Sequence, residues 1–441
     1  MPVEVCTISG FTKTAGNSTA VKVDDEVIIL DMGLGMENYI RYSEDREDIH
    51  ASMNYEELLK VKAVPNYHHI DDWKDKVKAI VPSHGHLDHV GAIPFAAGLF
   101  PQAQIISTPY TIEILRSILH DDKITLPNKL VSVNLNSFYK ISENIIIEMV
   151  HVTHSIPHAS LVIIHTKYGK IVYANDYKFD RQPTLGKKPN FQRLKEIGDE
   201  GVLLLVVECL YADKHMKMPS ESVAKQMLKD VMLGVNSEGK GMIVTTFSSH
   251  IARLKSIIEM GKKLNRKIVF IGRSLQKYVR AAENIQIVDF RGDISLIRHR
   301  DKIEKLFRRI MKEGKDKYLV VCTGHQGEPK AVLSRIARGE LHYNFDPGDL
   351  VIFSCSTIPV ELNIQNREKL ESMLRKKKLR LFTDVHVSGH AALEDHRDLF
   401  ELLKPKNIIP AHAGGDERPV MLANLAKQLG FNKTHIMTNG K

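Results

Sequence analysis

Short apolar runs closed by turn residues fill the first half of the chain. They fall at residues 4–9, 19–23, 27–30, 77–81, 104–107, 145–150, 161–165 and 171–174, and each predicts a strand. So many strands with few helices between them predict sheet packed on sheet, with helices outside. From about residue 215 the rhythm changes. Residues 242–246, 267–271, 318–322 and 350–354 are strand candidates, each followed by a helical stretch. In the first of those helices Ile251, Leu254 and Ile258 share one apolar face. Alternating strand and helix predicts a parallel sheet covered on both sides, in a separate α/β domain. A further strand is expected at 379–383, and an apolar stretch at 407–410 precedes His412. Residues 41–75 are polar, hold His50, His68 and His69, and read as a surface insertion. There is no internal repeat and no low-complexity tract.

Length and composition narrow the class. A chain of 441 residues is long for one domain and suggests two or three. Hydrophobic content of 43% and charged content of 26% are those of an ordinary globular protein. No apolar run approaches the roughly 20 residues that span a bilayer. The start, Met1-Pro2-Val3-Glu4-Val5-Cys6, shows no basic region leading an apolar stretch, so no secretory signal is expected and a cytoplasmic location is the default. Cys6, Cys209, Cys322 and Cys355 are scattered along strand-like runs, which argues against disulfides and against cysteine-bound zinc. The formal net charge of +9 permits a polyanionic partner without requiring one. The basic clusters at 375–378 and Lys187-Lys188 read as solvated faces.

One segment departs from this background. His84-Gly85-His86-Leu87-Asp88-His89 follows the apolar run 77–81, so a buried strand is expected to end in a loop of metal ligands. In an extended segment, His-x-His points two rings the same way. Imidazole suits zinc, and a carboxylate can bind or bridge it. Asp88 and His89 lie too close to serve the same ion comfortably, which favours two adjacent metals, the arrangement used to cut phosphodiesters. A lone His is usually a surface or satisfied core residue, and His-rich runs can be tags or loose metal scavengers. This run is internal and leads into Val90-Gly91-Ala92-Ile93-Pro94, which reads as the start of a packed helix.

Other candidate ligands share one address, the C-terminal end of a strand-like run. Asp31 closes 27–30, His154 follows 145–151, Asp176 follows 171–174 and His412 follows Ile408-Ile409. Singly, each is more readily a turn or cap residue. Jointly with the His-rich loop they suffice for two ions. One metal is assigned to His84, His86 and His154, the other to Asp88, His89 and His412, with Asp176 bridging and an open position left on each.

These positions resemble, in order and spacing, the motifs of metallo-β-lactamase-fold nucleases: Asp31, residues 84–89, His154, Asp176 and His412. The intervening domain looks like the β-CASP insertion of nucleic-acid-cutting members. Thr153-His154-Ser155-Ile156-Pro157, Thr323-Gly324-His325-Gln326-Gly327-Glu328-Pro329 and His386-Val387-Ser388-Gly389-His390-Ala391 are similar to ribonuclease J. The likeness spans nearly the whole chain. It implies an α/β fold, a metallo-β-lactamase αββα sandwich with an inserted β-CASP domain holding a mostly parallel sheet. The expected boundaries are 1–212 and 383–441 for the two parts of the sandwich and 213–382 for the insertion.

The resemblance also implies roles that the residues alone do not. Glu208 matches the first acidic β-CASP motif, His390 the second and His412 the third. Glu208 and His390 are expected to cooperate near the leaving oxygen, an imidazolium held by a carboxylate donating a proton. Asp88, Glu208 and His390 are thus the catalytic set. Phe247-Ser248-Ser249 and Gly272-Arg273-Ser274 follow strands of the insertion and offer hydroxyls, backbone donors and a guanidinium, which suit a terminal phosphate. Ser248 or Ser249 would equally cap a helix starting at Ile251, and the two roles are compatible. With His386, Ser388, Gly389 and His390 this region is the implied pocket for a 5′-monophosphate. The chain departs from the family pattern at Asn175, at Cys209-Leu210 and at Ala413-Gly414-Gly415, without losing a ligand; rate and metal preference are what this puts in question.

The implied activity is a 5′→3′ exoribonuclease on single-stranded RNA, using two Zn2+ per chain with Mn2+ or Mg2+ as substitutes. RNA is expected to thread between the domains, and single-stranded DNA stays open as a substrate because nothing identified reads the 2′-hydroxyl. The chain ends soon after His412, which fits the shorter archaeal type, so oligomerisation through the long C-terminal domain of bacterial relatives is not assumed; a homodimer stays open, and no membrane partner is expected. One rival is a β-CASP endoribonuclease of the cleavage-and-polyadenylation kind, whose archaeal versions usually carry KH modules ahead of the nuclease. Another is a catalytically silent RNA-binding scaffold, whose signature would be a missing ligand. A small-molecule hydrolase of the superfamily is disfavoured by the insertion.

Overall fold

In the computed structural model, which describes residues 2–12, 16–44 and 53–441, β-branched and aliphatic runs pair into three six-stranded sheets. The first follows chain order: β1 (Val3–Ser9), β2 (Ser18–Val23), β3 (Glu26–Leu30), β4 (Val77–Val81), β5 (Gln104–Ser107) and β6 (Leu130–Ser132). Its first three strands are antiparallel and the last four run parallel. The second comprises β7 (Ser137–Lys140), β8 (Ile146–His151), β9 (Ser160–Thr166), β10 (Gly169–Ala174), β11 (Val202–Glu208) and β18 (Ile408–Ala411). Here β7 to β10 form an antiparallel meander, while β10, β11 and β18 are parallel.

The two sheets share one core. Val21, Ile28, Val81 and Ile106 from the first pack with Met149, Val162, Tyr173 and Val206 from the second. The other face of the second sheet, with Val172, Leu205 and Val207, is covered by Leu194 and Ile197 of helix Phe191–Glu200, Leu399 and Phe400 of helix Leu393–Leu403, and Leu425 of helix Glu417–Gln428. Each such aliphatic side chain contributes about 1.5–3 kcal/mol by leaving water. The first of these helices starts where Asn190 Oδ1 accepts from the Arg193 backbone N–H at 3.1 Å, and it stops at Gly201, whose φ of 100° suits glycine.

The third sheet belongs to a second unit. Its strands β12 (Met242–Thr245), β13 (Lys267–Ile271), β14 (Ile294–Ile297), β15 (Tyr318–Cys322), β16 (Leu350–Phe353) and β17 (Arg380–Phe382) are all parallel, in the order β14-β13-β15-β12-β16-β17. Phe307, Ile310, Leu370 and Leu374 from helices pack on Ile243, Val269, Val320 and Phe353. The first unit takes Met1–Arg181, Lys187–Met218 and Gly389–Lys441; the second takes Gln182–Gly186 and Pro219–Ser388. The αββα sandwich and the inserted parallel sheet are the predicted architecture.

Several local details differ from the sequence reading. Strands β6, β7 and β14 are only three or four residues long and partly exposed, too short to stand out as apolar runs. The stretch from residue 53 to 75 is more than a surface insertion: Tyr55, Leu58, Tyr67 and Ile70 are buried, and Tyr67 Oη lies 3.1 Å from Ser18 Oγ. His50 lies outside the described residues. All four cysteines are free and buried. Among the described residues no helix is long and apolar enough to cross a membrane.

Candidate metal centre

Strand tips of the sandwich deliver the polar side chains. Asp31, Asp176 and His412 each sit just past a buried strand in left-handed backbone, with φ of 56°, 60° and 46°. A bend of this kind stops the strand and turns the next side chain across the sheet edge. The loop 84–91 is laced to its neighbours through the backbone: Asn17 N–H donates to Asp88 O at 2.8 Å, and Met32 N–H donates to His89 O at 2.8 Å. Gly33 must be glycine here, because a Cβ would lie 1.7 Å from the Asp88 carbonyl oxygen.

Three groups of ligand-type atoms converge among the described residues, each within 4.8 Å of one another. They are His84, His86, His154 and Asp176; Asp88, His89, Asp176 and His412; and Asp176, Glu208, His390 and His412. Asp176 belongs to all three. Its Oδ2 lies 3.5 Å from His84 Nε2, 3.5 Å from His154 Nε2 and 3.1 Å from His89 Nε2, and its Oδ1 lies 2.6 Å from His412 Nδ1. Asp88 Oδ2 lies 3.5 Å from His89 Nε2 and 3.7 Å from His412 Nε2.

An outer ring of partners fixes the rings. Asp31 accepts from His89 Nδ1 at 2.7 Å, from Tyr173 Oη at 2.8 Å and from the Ser83 backbone N–H at 2.7 Å. Asn175 donates to Tyr173 Oη at 2.8 Å, so the residue that departs from the family pattern is tied into this ring. Ser83 Oγ bonds Asp31 and lies 3.0 Å from His84 Nδ1. His154 Nδ1 donates to Gly389 O at 2.7 Å. With their Nδ1 atoms donating outward, His89 and His154 direct the bare Nε2 lone pair inward.

The donor set fits divalent cations. His86 Nδ1 lies 3.1 Å from both His84 Nε2 and His154 Nε2, and one hydrogen cannot serve three mutually facing nitrogens. Burial, with neighbouring imidazoles, holds His84 well below the usual histidine range, and His86 is pushed down to about 4. The facing lone pairs are therefore not relieved by protonation, and a cation relieves them. On the other cluster burial opposes charge, but Asp176, Asp31 and Asp88 outweigh it and push His89 well above the usual histidine range, so this side favours a positive charge. Negative charge is in excess on that side, which again suits a cation.

Beside this cluster, His390 Nδ1 donates to Glu208 Oε2 at 2.8 Å. Burial disfavours its charge, yet Glu208 and Asp176 outweigh burial and push it up to about 9.

A family model described as "Metallo-beta-lactamase superfamily" matches residues 11–273, and one described as "Ribonuclease J, beta-CASP domain" matches residues 239–369. The ribonuclease J of Methanocaldococcus jannaschii is 41% identical to this chain, covering 100% of it and 98% of the relative. The chain belongs to the ribonuclease J family. The ribonuclease J of Pyrococcus abyssi is also 41% identical, over 97% of this chain and 93% of its own, and ribonuclease J 1 of Streptococcus pyogenes is 31% identical over 99% and 73%. A solved structure of a protein of unknown function from Enterococcus faecalis superposes with a TM-score of 0.68 at 19% identity, covering 99% of this chain and 98% of that one, and so shares its fold. Divalent metal ions are implied by the metallo-β-lactamase fold.

The remaining residues that the ribonuclease J likeness singled out lie in the second unit, apart from Gly389 and His390. Ser248 Oγ is 3.0 Å from Ser274 Oγ, and Arg273 opens helix Arg273–Asn284. Ser249 is buried. Phe247 packs its ring 4.4 Å from His325 and 6.3 Å from His386. His386 and Ser388 are half-buried. Neither serine caps helix Ile251–Lys263: the cap is His250, whose Nδ1 accepts from the Arg253 backbone N–H at 3.4 Å. Asn17, Ser83 and Tyr173 escaped the sequence reading because each acts through another residue. Arg253 escaped it too, since a charged residue beside an apolar helix face normally points to water.

Proposed function

We propose that this chain is a zinc-dependent 5′→3′ exoribonuclease that degrades single-stranded RNA and prefers 5′-monophosphate ends. The observation that carries the reading is the sharing of Asp176 by every ligand cluster, which favours a paired centre over a single ion. His84, His86 and His154 would hold one zinc, Asp88, His89 and His412 the other, and Asp176 both. When bound, the cations supply Lewis acidity toward a phosphoryl oxygen and toward attacking water.

The chain's own groups do the rest. Asp88 and Asp176 present carboxylate oxygens beside His412, where a proton from water can be received. His390, kept protonated by Glu208, donates to the departing 3′ oxygen and offsets charge on the phosphorane. Gly389 O orients His154. In this reading the segments 1–212 and 383–441 carry the chemistry, and 213–382 recognises the RNA end together with His386 and Ser388, which join Phe247, Ser248, Ser249, Arg273 and Ser274 around the terminal phosphate. The paired Ser248 and Ser274 hydroxyls support that placement, since two adjacent hydroxyls are good donors to one phosphoryl group.

Digestion of one RNA sequence bearing 5′-phosphate, 5′-triphosphate or 5′-hydroxyl ends tests the proposal. Stepwise release of mononucleotides, fastest from the monophosphate, is the expected result. Internal fragments that form at equal rates from all three would replace it with an endonuclease.

A further inference from the structure

The side chain of Arg253 is fully buried in the second unit, and all its N–H groups are engaged. Nε donates to Glu221 Oε1 at 2.6 Å and Nη2 to Glu221 Oε2 at 2.8 Å, a bidentate clamp. Nη1 donates to Ser354 O at 3.0 Å and Ser354 Oγ at 2.9 Å. The same nitrogen reaches Val385 O at 3.4 Å and His386 Nδ1 at 3.3 Å, and Nη2 reaches Val387 O at 3.5 Å. One guanidinium thus grips three consecutive residues of the chain that leads into Ser388.

The contact with His386 carries chemical information. Nη1 has two hydrogens, and Ser354 holds its two shortest contacts, so His386 Nδ1 shares one of those hydrogens. A guanidinium only donates, which favours the ring hydrogen on Nε2. Val385 and Val387 on either side are buried, which anchors the backbone, while His386 is half-buried. Glu221 is fixed in turn by His250 Nε2 at 3.3 Å, so the clamp cannot swing away.

We infer that Arg253 is a positioning residue for RNA-end recognition: it fixes His386 in the tautomer whose Nε2–H donates to an oxygen of the 5′-terminal phosphate. The inference rests on the 5′-monophosphate reading above. On this inference, the contact contributes to discrimination between phosphorylated and unphosphorylated ends.

Two measurements on the full-length, zinc-loaded protein test it. The first is the ratio of kcat/KM for 5′-monophosphate and 5′-hydroxyl RNA in wild type, His386→Ala, Arg253→Lys and Glu221→Gln. Loss of one donor to a charged group is worth roughly tenfold or more, so the ratio is expected to fall by that factor in His386→Ala and in Arg253→Lys, mainly through KM on the monophosphate. Glu221→Gln, which keeps the shape of the clamp, should fall less and guards against misfolding of the lysine variant. A parallel loss on both substrates, or an unchanged ratio in Arg253→Lys beside a collapsed one in His386→Ala, overturns the role of Arg253 and leaves the pocket standing. A wild type indifferent to the 5′ end overturns the pocket reading itself. The second measurement is the 15N spectrum of histidine-labelled protein, with His386 assigned by its loss in His386→Ala. A protonated Nε2 and a bare Nδ1 are expected, and the opposite tautomer overturns the inference.

Discussion

His390 Nδ1 and Glu208 Oε2 stand 2.8 Å apart, and the other Glu208 oxygen accepts from the backbone N–H of Tyr177 at 2.9 Å and of Ala391 at 3.3 Å. A carboxylate tied at both oxygens cannot rotate away, so the imidazole it holds is fixed as well. Glu208→Gln preserves this shape and removes the charge. A general acid contributes about 10²–10⁴-fold, so kcat should fall by at least about 100-fold while KM stays close to wild type. Single-turnover cleavage of labelled RNA measures this, and a change confined to KM would contradict the assigned role.

Asp176→Ala is expected to abolish hydrolysis and to lower zinc content in elemental analysis, with circular dichroism unchanged. His86→Ala should do the same through the first cluster alone. Retention of wild-type zinc content by both variants would count against the paired centre.

Partners one shell out should show a graded effect. Asp31→Asn and Tyr173→Phe leave every proposed ligand in place but loosen His89, through bonds of 2.7 and 2.8 Å around the Asp31 carboxylate. Loss of such support typically costs about 10–100-fold in metal affinity. Competition with a chelator reads this directly, and adding excess zinc should restore activity.

Gly389 lies so close to the next loop that a Cβ would meet Ser155 N at 2.7 Å. Its carbonyl is also the acceptor for His154 Nδ1. Gly389→Ala should therefore push the two segments apart and tilt the imidazole, lowering kcat by about tenfold and destabilising the protein by about 1–3 kcal/mol. Thermal melts and cleavage rates on one preparation check both.

Acid should weaken the second unit through Glu221. Burial opposes its ionisation, yet His250 and Arg253 outweigh that and hold its carboxyl well below the usual range of 4.5. A depressed folded value means that the unfolded chain binds the proton first. The stabilisation is complete above about pH 5 and drains away as pH falls from the unfolded value toward the lower folded one. Glu221→Ala should cost about 3–5 kcal/mol at pH 7, because it strands Arg253 in the interior, and should flatten the acid limb of the stability curve. Urea titrations from pH 3 to 7 measure the difference.

Strands buried on both faces were the most legible part of the fold. β5, β13 and β15 coincide with their apolar runs at 104–107, 267–271 and 318–322 because nothing polar interrupts them. β14, with its sequence ISLI set in charged surroundings, is half-exposed and gives no such run. The seven ligand candidates could be read because each closes a strand or belongs to the His-rich loop, and the structure brings them within 4.8 Å in their groups. Glu208 could be named only through the family likeness, since a strand-end acid is ordinary. Asn17, Tyr173 and Arg253 had no signal: their partners are remote in sequence, and only the packed chain shows them.

His412 follows β18, which pairs with β11 through contacts such as Leu205 with Ile408, across an interval that holds the whole parallel sheet. During synthesis, then, the polypeptide emerging from the ribosome carries the His-rich loop long before it carries the residue that completes the second cluster. The cluster of Asp88, His89, Asp176 and His412 is therefore assembled only after the inserted unit has been made.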